Sequence, residues 1–291
     1  MKTPARLEPL VTDGLVDSVL RQLMSGKEAT VYVVRCGDDI RCAKVYKEAN
    51  KRGFHTAVDY TEGRKIKNSR QARAMAKRSR YGRQEQEAAW QSAEVDALRR
   101  LAAAGVRVPT PYNFHEGVLL MELVADADGG PALRLNDLSL SEEDALAYHA
   151  ALIRQVVRML CAGIVHGDLS EYNVLVDAGG PVIIDLPQAV DAAANSNAKR
   201  MLGRDVDNLA DYFGQFAPQL LTTRYGEEIW ALYEAGSLHP DSVLTGRFED
   251  PTDAVNLDEV IQVIEAADAE HAERLARQQA AEAVDDWTTD T

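Results

Sequence analysis

Cysteine is scarce in this chain and unpatterned. Cys36, Cys42 and Cys161 are odd in number and scattered over 291 residues, which excludes a disulfide framework and offers no metal-ligand spacing. Reduced, mostly buried thiols in a cytoplasmic protein are the expectation. No apolar run approaches the roughly 20 residues that span a bilayer. Met1-Lys2-Thr3-Pro4-Ala5-Arg6 leads into a mixed segment, so neither a membrane partner nor a secretory leader is expected. Glycine is thin where many nucleotide binders concentrate it. The turn Met24-Ser25-Gly26-Lys27-Glu28-Ala29-Thr30 holds one glycine, so it is neither a Gly-x-Gly-x-x-Gly loop nor a Walker sequence. A turn of small residues still lets backbone N–H groups approach phosphate oxygens, and it equally suits any strand entry.

Positive charge is outnumbered overall, with a formal net charge of −14, yet it is concentrated. Between Lys51 and Arg83 there are eleven Lys or Arg against Asp59 and Glu62, whereas from Glu249 onward only Arg274 and Arg277 oppose a run of acids. The basic block is either a phosphate-attracting surface for RNA or a ribosomal particle, or a solvated insertion. Its few aromatics, Phe54, Tyr60 and Tyr81, make a poor stacking platform.

What is present is an ordered series of elements. Residues 1–24 carry a short helical pattern (Leu15, Val19, Leu20, Leu23). Strands follow at Glu28 to Arg35 and Ile40 to Tyr46, around Gly37-Asp38-Asp39. In the second strand Ile40, Cys42, Lys44 and Tyr46 share a face, so Lys44 is either an edge residue reaching for water or a cation aimed at an anion. From Gln84 a helix places Trp90, Ala97, Leu98 and Leu101 on one stripe, and Glu94 falls on that stripe. A carboxylate pointing into an interface needs a cation, and Lys44 is the candidate. The alternative is a solvated Glu94 at the stripe's edge. Strands at Tyr112 to Glu116 and Val118 to Glu122 precede a linker, Ala125 to Pro131. Ser141 then caps a long helix with acids in its first turn, and further helices are read at Arg204 to Ala217, Arg224 to Ala235 and Leu257 to about Ala283. Strands first and helices afterwards, with a linker between, predict an α+β protein of two lobes. The expected divisions are an N-terminal helical extension at 1–24, an N-lobe at 25–124 with a basic insertion at 50–83, a C-lobe at 125–245, and an acidic helix and tail at 246–291.

The chemistry concentrates in Ile164-Val165-His166-Gly167-Asp168-Leu169-Ser170-Glu171-Tyr172-Asn173-Val174-Leu175 and in Val182-Ile183-Ile184-Asp185. Apolar runs flank the turn Ala178-Gly179-Gly180. Because 173 and 185 are equidistant from Gly179, antiparallel pairing predicts Asn173 beside Asp185. Asp168 lies one short loop upstream, so three oxygen-bearing side chains converge as a hard cation and an adjacent base require. Asp-x-x-x-x-Asn with a later Asp is the arrangement of phosphotransferases of the protein-kinase kind. An ordinary hairpin with Asn and Asp capping its turns is the plain alternative.

Ser25-Gly26-Lys27-Glu28-Ala29 with Val31-Tyr32, His166 to Asn173, and Ile184-Asp185-Leu186-Pro187-Gln188-Ala189-Val190 resemble the RIO family of atypical protein kinases, in its type-one-like, prokaryotic form. Trp90 with Glu94, and Arg204-Asp205-Val206-Asp207-Asn208-Leu209, add to the likeness, which covers about residues 10–240. The resemblance implies a protein-kinase-like fold with a sheet-bearing N-lobe and a larger helical C-lobe. It implies ATP and Mg2+ (or Mn2+) as cofactors, and catalysis by Asp168, Lys44 and Asp185. Lys44, oriented by Glu94, would hold the α- and β-phosphates, with Ser25, Gly26 and Lys27 over them and Ser170 close by. Met121 would back the adenine pocket, while the Glu122 carbonyl and Val124 amide meet the adenine edge. Asn173 and Asp185 would bind the metal, and Asp168 would orient or deprotonate the attacking hydroxyl. His166 is expected to organise its loop and not to transfer protons.

Departures from ordinary kinases are as informative. Ser170 stands where a lysine follows the catalytic Asp by two residues. Leu186-Pro187 replaces Phe-Gly, and no Ala-Pro-Glu segment follows, so a conventional activation loop and peptide platform are not expected. Within the resembled family autophosphorylation, slow ATP hydrolysis and an aspartyl-phosphate are all entertained, the acceptor here being Asp185. The competing functions are an ATP-gated RNA- or ribosome-binding assembly factor and a small-molecule phosphotransferase of the aminoglycoside or choline type.

Overall fold

The computed structural model describes residues 3–47 and 80–249, with side chains from Gln91 onward in the second range. The basic segment 50–83, apart from its last helical residues, and the acidic helix expected at 257–283 lie outside the described residues.

A five-stranded antiparallel sheet forms the first lobe, from β1 (Ser18–Ser25), β2 (Ala29–Cys36), β3 (Asp39–Tyr46), β4 (Pro111–His115) and β5 (Val118–Glu122), in the order β1-β2-β3-β5-β4. The N-terminal stretch corrects the sequence reading. A short helix, α1 (Glu8–Thr12), is present, but Val19, Leu20 and Leu23 belong to β1, which pairs with β2. Register shifts at Val19/Arg21 and Gln22/Met24 break the strand's period of two, and the broken alternation imitates helical spacing. Ser25-Gly26-Lys27-Glu28-Ala29 is therefore a turn between two strands of the sheet and not an entry to its first pair.

Strand β3 separates two environments because successive side chains point to opposite faces. Ala43 and Val45 join Leu7, Leu10, Val16, Val19, Val34, Val118 and Leu120 in a core on one face. Lys44 and Tyr46 point the other way, toward helix α2 (Arg80–Ala103), whose Val95, Leu98 and Leu101 are buried. Those residues and Glu94 recur at three- and four-residue intervals, as the stripe required.

The second lobe begins after the bridge Ala125↔Pro131. Its small sheet has the order β6-β8-β9, from β6 (Leu133–Arg134), β8 (Val174–Asp177) and β9 (Gly180–Ile183), and a further pair joins β7 (Ile164–Val165) to β10 (Val190–Asp191). Helix α3 (Glu142–Cys161) starts at Ser141, whose Oγ accepts from the Asp144 N–H at 3.1 Å. It buries Leu152, Ile153, Val156, Val157 and Leu160 against α4 (Ala198–Gly214) and α5 (Tyr225–Glu234). The 164–185 segment is threaded through this core, with Val165, Leu169, Val174 and Ile183 all buried.

Candidate active site

The expected pairing of Asn173 with Asp185 is displaced by one residue. Val174 pairs with Ile183 and Asp177 with Gly180, so the turn has two central residues, Ala178 and Gly179, with Gly180 at φ 111°. The Ile184 N–H then donates to the Asn173 carbonyl at 3.0 Å. Asp185 leaves the strand through left-handed backbone at φ 64°, a region that Asp visits more readily than most residues. That reversal, and not strand alternation, sets the direction of its carboxylate.

Across the cleft, Lys44 Nζ donates to Glu94 Oε1 at 2.6 Å and to Asp185 Oδ1 at 3.0 Å, and the Tyr46 hydroxyl donates to Glu94 Oε2 at 2.6 Å. Lys44 is 9% exposed and Glu94 2%. Burial works against the lysine's charge, but Glu94 and Asp185 more than offset it and hold its pKa well above the ordinary value. Asp185 keeps 47% of its side-chain exposure. Desolvation in the cleft raises its pKa, yet Lys44 outweighs this and the net shift is downward, with His166 and Arg134 adding to it. It is thus an anion open to the cleft.

Below it, the Asn173 amide donates to the Asp168 carbonyl at 2.8 Å, so the two residues are braced together. The Asp168 carboxylate accepts from Gln188 Nε2 at 3.1 Å. Desolvation, with Asp185 adding to it against His166 and Arg204, leaves the Asp168 pKa raised, which is the direction a proton acceptor needs. His166 Nε2 lies 3.1 Å from the Ile184 carbonyl, and its Nδ1 accepts the Asp168 N–H at 3.3 Å. Both ring nitrogens are therefore occupied by backbone, one as donor and one as acceptor.

The structure brings Lys44, Glu94 and Asp185 into direct contact and places Asp168, Ser170 and Asn173 on the adjoining loop. Ser25 and Gly26 sit at the β1–β2 turn and are tied to the end of β3, because Lys47 Nζ donates to Ser25 Oγ at 3.1 Å and to the Gly26 carbonyl. Lys27 is exposed on that turn. Met121 and Glu122 end β5, and Val124 lies just beyond it on the segment leading out of the first lobe. Val124 is buried against Ala132 and Val182, and its carbonyl accepts from the Ala132 N–H at 3.0 Å. The Glu122 carboxylate is engaged by Arg107 at 2.7 and 3.0 Å. An open cavity of about 360 Å³ lined by Arg107, Gln155, Asp177 and Pro181 includes none of Lys44, Asp168, Asn173 or Asp185.

A cleft with a glutamate-held lysine above and an Asp, Asn and Asp below is a phosphotransferase arrangement, and sequence comparison decides which kind. A family model described as the RIO domain matches residues 30–225. The chain belongs to the RIO family. The RIO-type serine/threonine-protein kinase Rio1 of Haloferax volcanii is 38% identical over 214 residues, 72% of this chain and 68% of that one. The protein of the same description from Methanocaldococcus jannaschii is 33% identical over 190 residues, 65% of this chain and 60% of that one. The human serine/threonine-protein kinase RIO1 is 28% identical over 225 residues, 77% of this chain but 38% of that one. This RIO-type kinase is thus an ATP-dependent phosphotransferase, and among its described residues no helix is long and apolar enough to cross a membrane.

In this RIO kinase the support beneath the loop comes from α4. Asp205, 1% exposed, accepts the Gly167 N–H on Oδ2 at 2.7 Å and the Leu169 N–H on Oδ1 at 2.9 Å. Asn208 Nδ2 donates to the Leu169 carbonyl at 2.9 Å, and Arg204 to the Gly167 carbonyl. Burial pushes Asp205 up to about 6, against His166, the two N–H donors and Arg204. In the sequence these three residues stand out through family likeness. A sharper signal is their i, i+1, i+4 spacing, which puts polar groups beside the buried Val206 and Leu209. Gln188, Lys47 and Arg107 carry no comparable signal in the sequence.

Proposed function

We propose that this protein is a Mg-ATP-dependent RIO-type serine/threonine kinase that phosphorylates itself or a protein partner in the cytoplasm. The observation that carries the proposal is the Lys44–Glu94–Asp185 contact above the Asp168–Asn173 brace. Lys44 presents an ammonium whose orientation is fixed from two sides, as contact with the α- and β-phosphates requires. The Asn173 side-chain oxygen and the Asp185 carboxylate are hard oxygen donors that would hold Mg2+ or Mn2+. When bound, the ion supplies charge neutralisation at the phosphate oxygens. Asp168 accepts the proton of a serine or threonine hydroxyl as that oxygen bonds to the γ-phosphorus, and the β–γ bridging oxygen leaves with ADP. His166, occupied at both nitrogens, holds the loop.

The 51–83 segment supports a finer reading, in which RNA or a ribosomal particle is the partner, through its clustered positive charge. The decisive experiment is label transfer from γ-labelled ATP with Mg2+ to the full chain. Wild type should acquire label and Asp168→Ala should not. Equal labelling of the two, or no ATP turnover by wild type, would overturn the assignment. Hydroxylamine lability of the label would show an acyl phosphate in place of a phosphorylated hydroxyl, and mapping of the labelled residue to Asp185 would identify that carboxylate as the acceptor.

A further inference from the structure

Arg134 ends β6 and pairs through its backbone with Leu175 of β8, on the second-lobe side of the linker. Its guanidinium crosses the cleft mouth and donates to Met24 Sδ at 3.6 Å. Met24 precedes Ser25, where the candidate phosphate turn begins. The arginine's charge also helps to hold the Asp185 pKa down, after Lys44 and His166. A cation carried by the second lobe therefore reaches the residue next to the candidate phosphate turn, where the phosphate chain of a nucleotide would run.

The partner it has there is chemically weak. A thioether is a poor acceptor, whereas a guanidinium offers five N–H donors in a fork that matches phosphate oxygens. Arg41, Arg107 and Arg224 each lie within 3.2 Å of a carboxylate oxygen. Arg134 forms no such ion pair among the described residues. The loop below also lacks a positive charge, since Ser170 stands where ordinary kinases place a lysine.

Resting on the ATP-site reading above, we propose that Arg134 is a nucleotide-contacting residue that leaves Met24 to bind the phosphate chain, supplying from the second lobe a positive charge that complements Lys44. Its ligand is thus the polyphosphate part of a nucleoside triphosphate and not the base. The test uses the full chain and calorimetric titration with ATP, ADP and adenosine in Mg2+, for wild type, Arg134→Ala and Arg134→Lys, with melting temperatures alongside. Arg134→Ala should weaken ATP binding by about tenfold, leave adenosine unchanged and melt as wild type does, with Arg134→Lys recovering part of the loss. Unchanged ATP affinity in Arg134→Ala, with wild type binding ATP normally, would overturn the proposal and leave the site reading standing. An equal loss for ATP and adenosine would make Arg134 a packing residue and overturn it as well. Absence of ATP binding by wild type would remove the site reading, and this proposal with it.

Discussion

A buried lysine is tolerable only where its charge is matched at close range, because an ammonium taken out of water has no other compensation. Lys44 meets that condition with two carboxylates, and Tyr46 satisfies the second oxygen of Glu94. His149 lacks any such partner. It is 2% exposed, packs edge-on to Phe213 and tilted against Tyr225, and leaves Nε2 without a hydrogen-bond partner. Burial pulls its pKa down to about 4. The unfolded chain binds this proton near pH 6.5 and the folded chain only near 4, so stability is lost as pH falls through that window. The loss amounts to about 3 kcal/mol when complete. Asp205 acts with the opposite sign. Raised to about 6, it binds its proton more readily when folded, so what it costs the fold at neutral pH is recovered as pH drops below that value. Comparing His149→Leu with wild type isolates the histidine. The variant should match or exceed wild type at pH 7.5 and exceed it by a growing margin toward pH 4.5, read as urea midpoints. Parallel curves for the two proteins over that range would refute the assignment.

Among the elements, α4 and the 166–169 loop are coupled through one carboxylate. Asp205 accepts two backbone N–H groups with its two oxygens, so Asp205→Asn turns an amide N–H₂ toward a donor. The unsatisfied contact costs about 1–3 kcal/mol. The loop carrying Asp168 should shift with it, and displacements of this kind lower turnover by about 100-fold. Turnover should fall with ATP affinity nearly intact, because Lys44 and its partners are untouched; a variant with wild-type turnover would sink the coupling. This clamp also shows what can be read from a sequence. Glu94 is legible because its position on an apolar stripe is anomalous without a cation, and Lys44 is legible for the matching reason. The β1 strand was hidden because two bulges destroy the alternation by which strands are recognised. Asn173 and Asp185 were assigned to one site, but the register was misjudged by a residue. Counting from a glycine cannot distinguish a two-residue turn from a three-residue one, nor foresee that Asp185 adopts φ 64°. Asp205 was visible only as a family motif, since its partners are backbone groups that carry no sequence signature.

For the whole molecule, the relation between the lobes depends on Arg107, which no periodicity marks. Its guanidinium pairs with Glu122 at the end of the first lobe's sheet, at 2.7 Å, and with Asp177 of β8 in the second, at 2.6 Å. Its backbone is fixed as well: the N–H donates to Gln155 of α3 at 3.1 Å and the carbonyl accepts from Ile183 at 3.0 Å. Burial disfavours the Glu122 charge, but Arg107 and Thr110 prevail and lower its pKa. Arg107 therefore neutralises two carboxylates that would otherwise face each other across the junction. Arg107→Met should cost about 2 kcal/mol, which for a chain of this size lowers Tm by about 3 °C. Removing the stranded charges as well, with Glu122→Gln and Asp177→Asn added, should recover most of that loss, because a neutral set carries a much smaller desolvation penalty than unpaired carboxylates. ATP KM should follow the same order, rising in the single variant and returning toward wild type in the triple one. A triple variant that melts no higher than Arg107→Met would show that the arginine acts through its stem packing and backbone position, and the electrostatic account of the junction would fail.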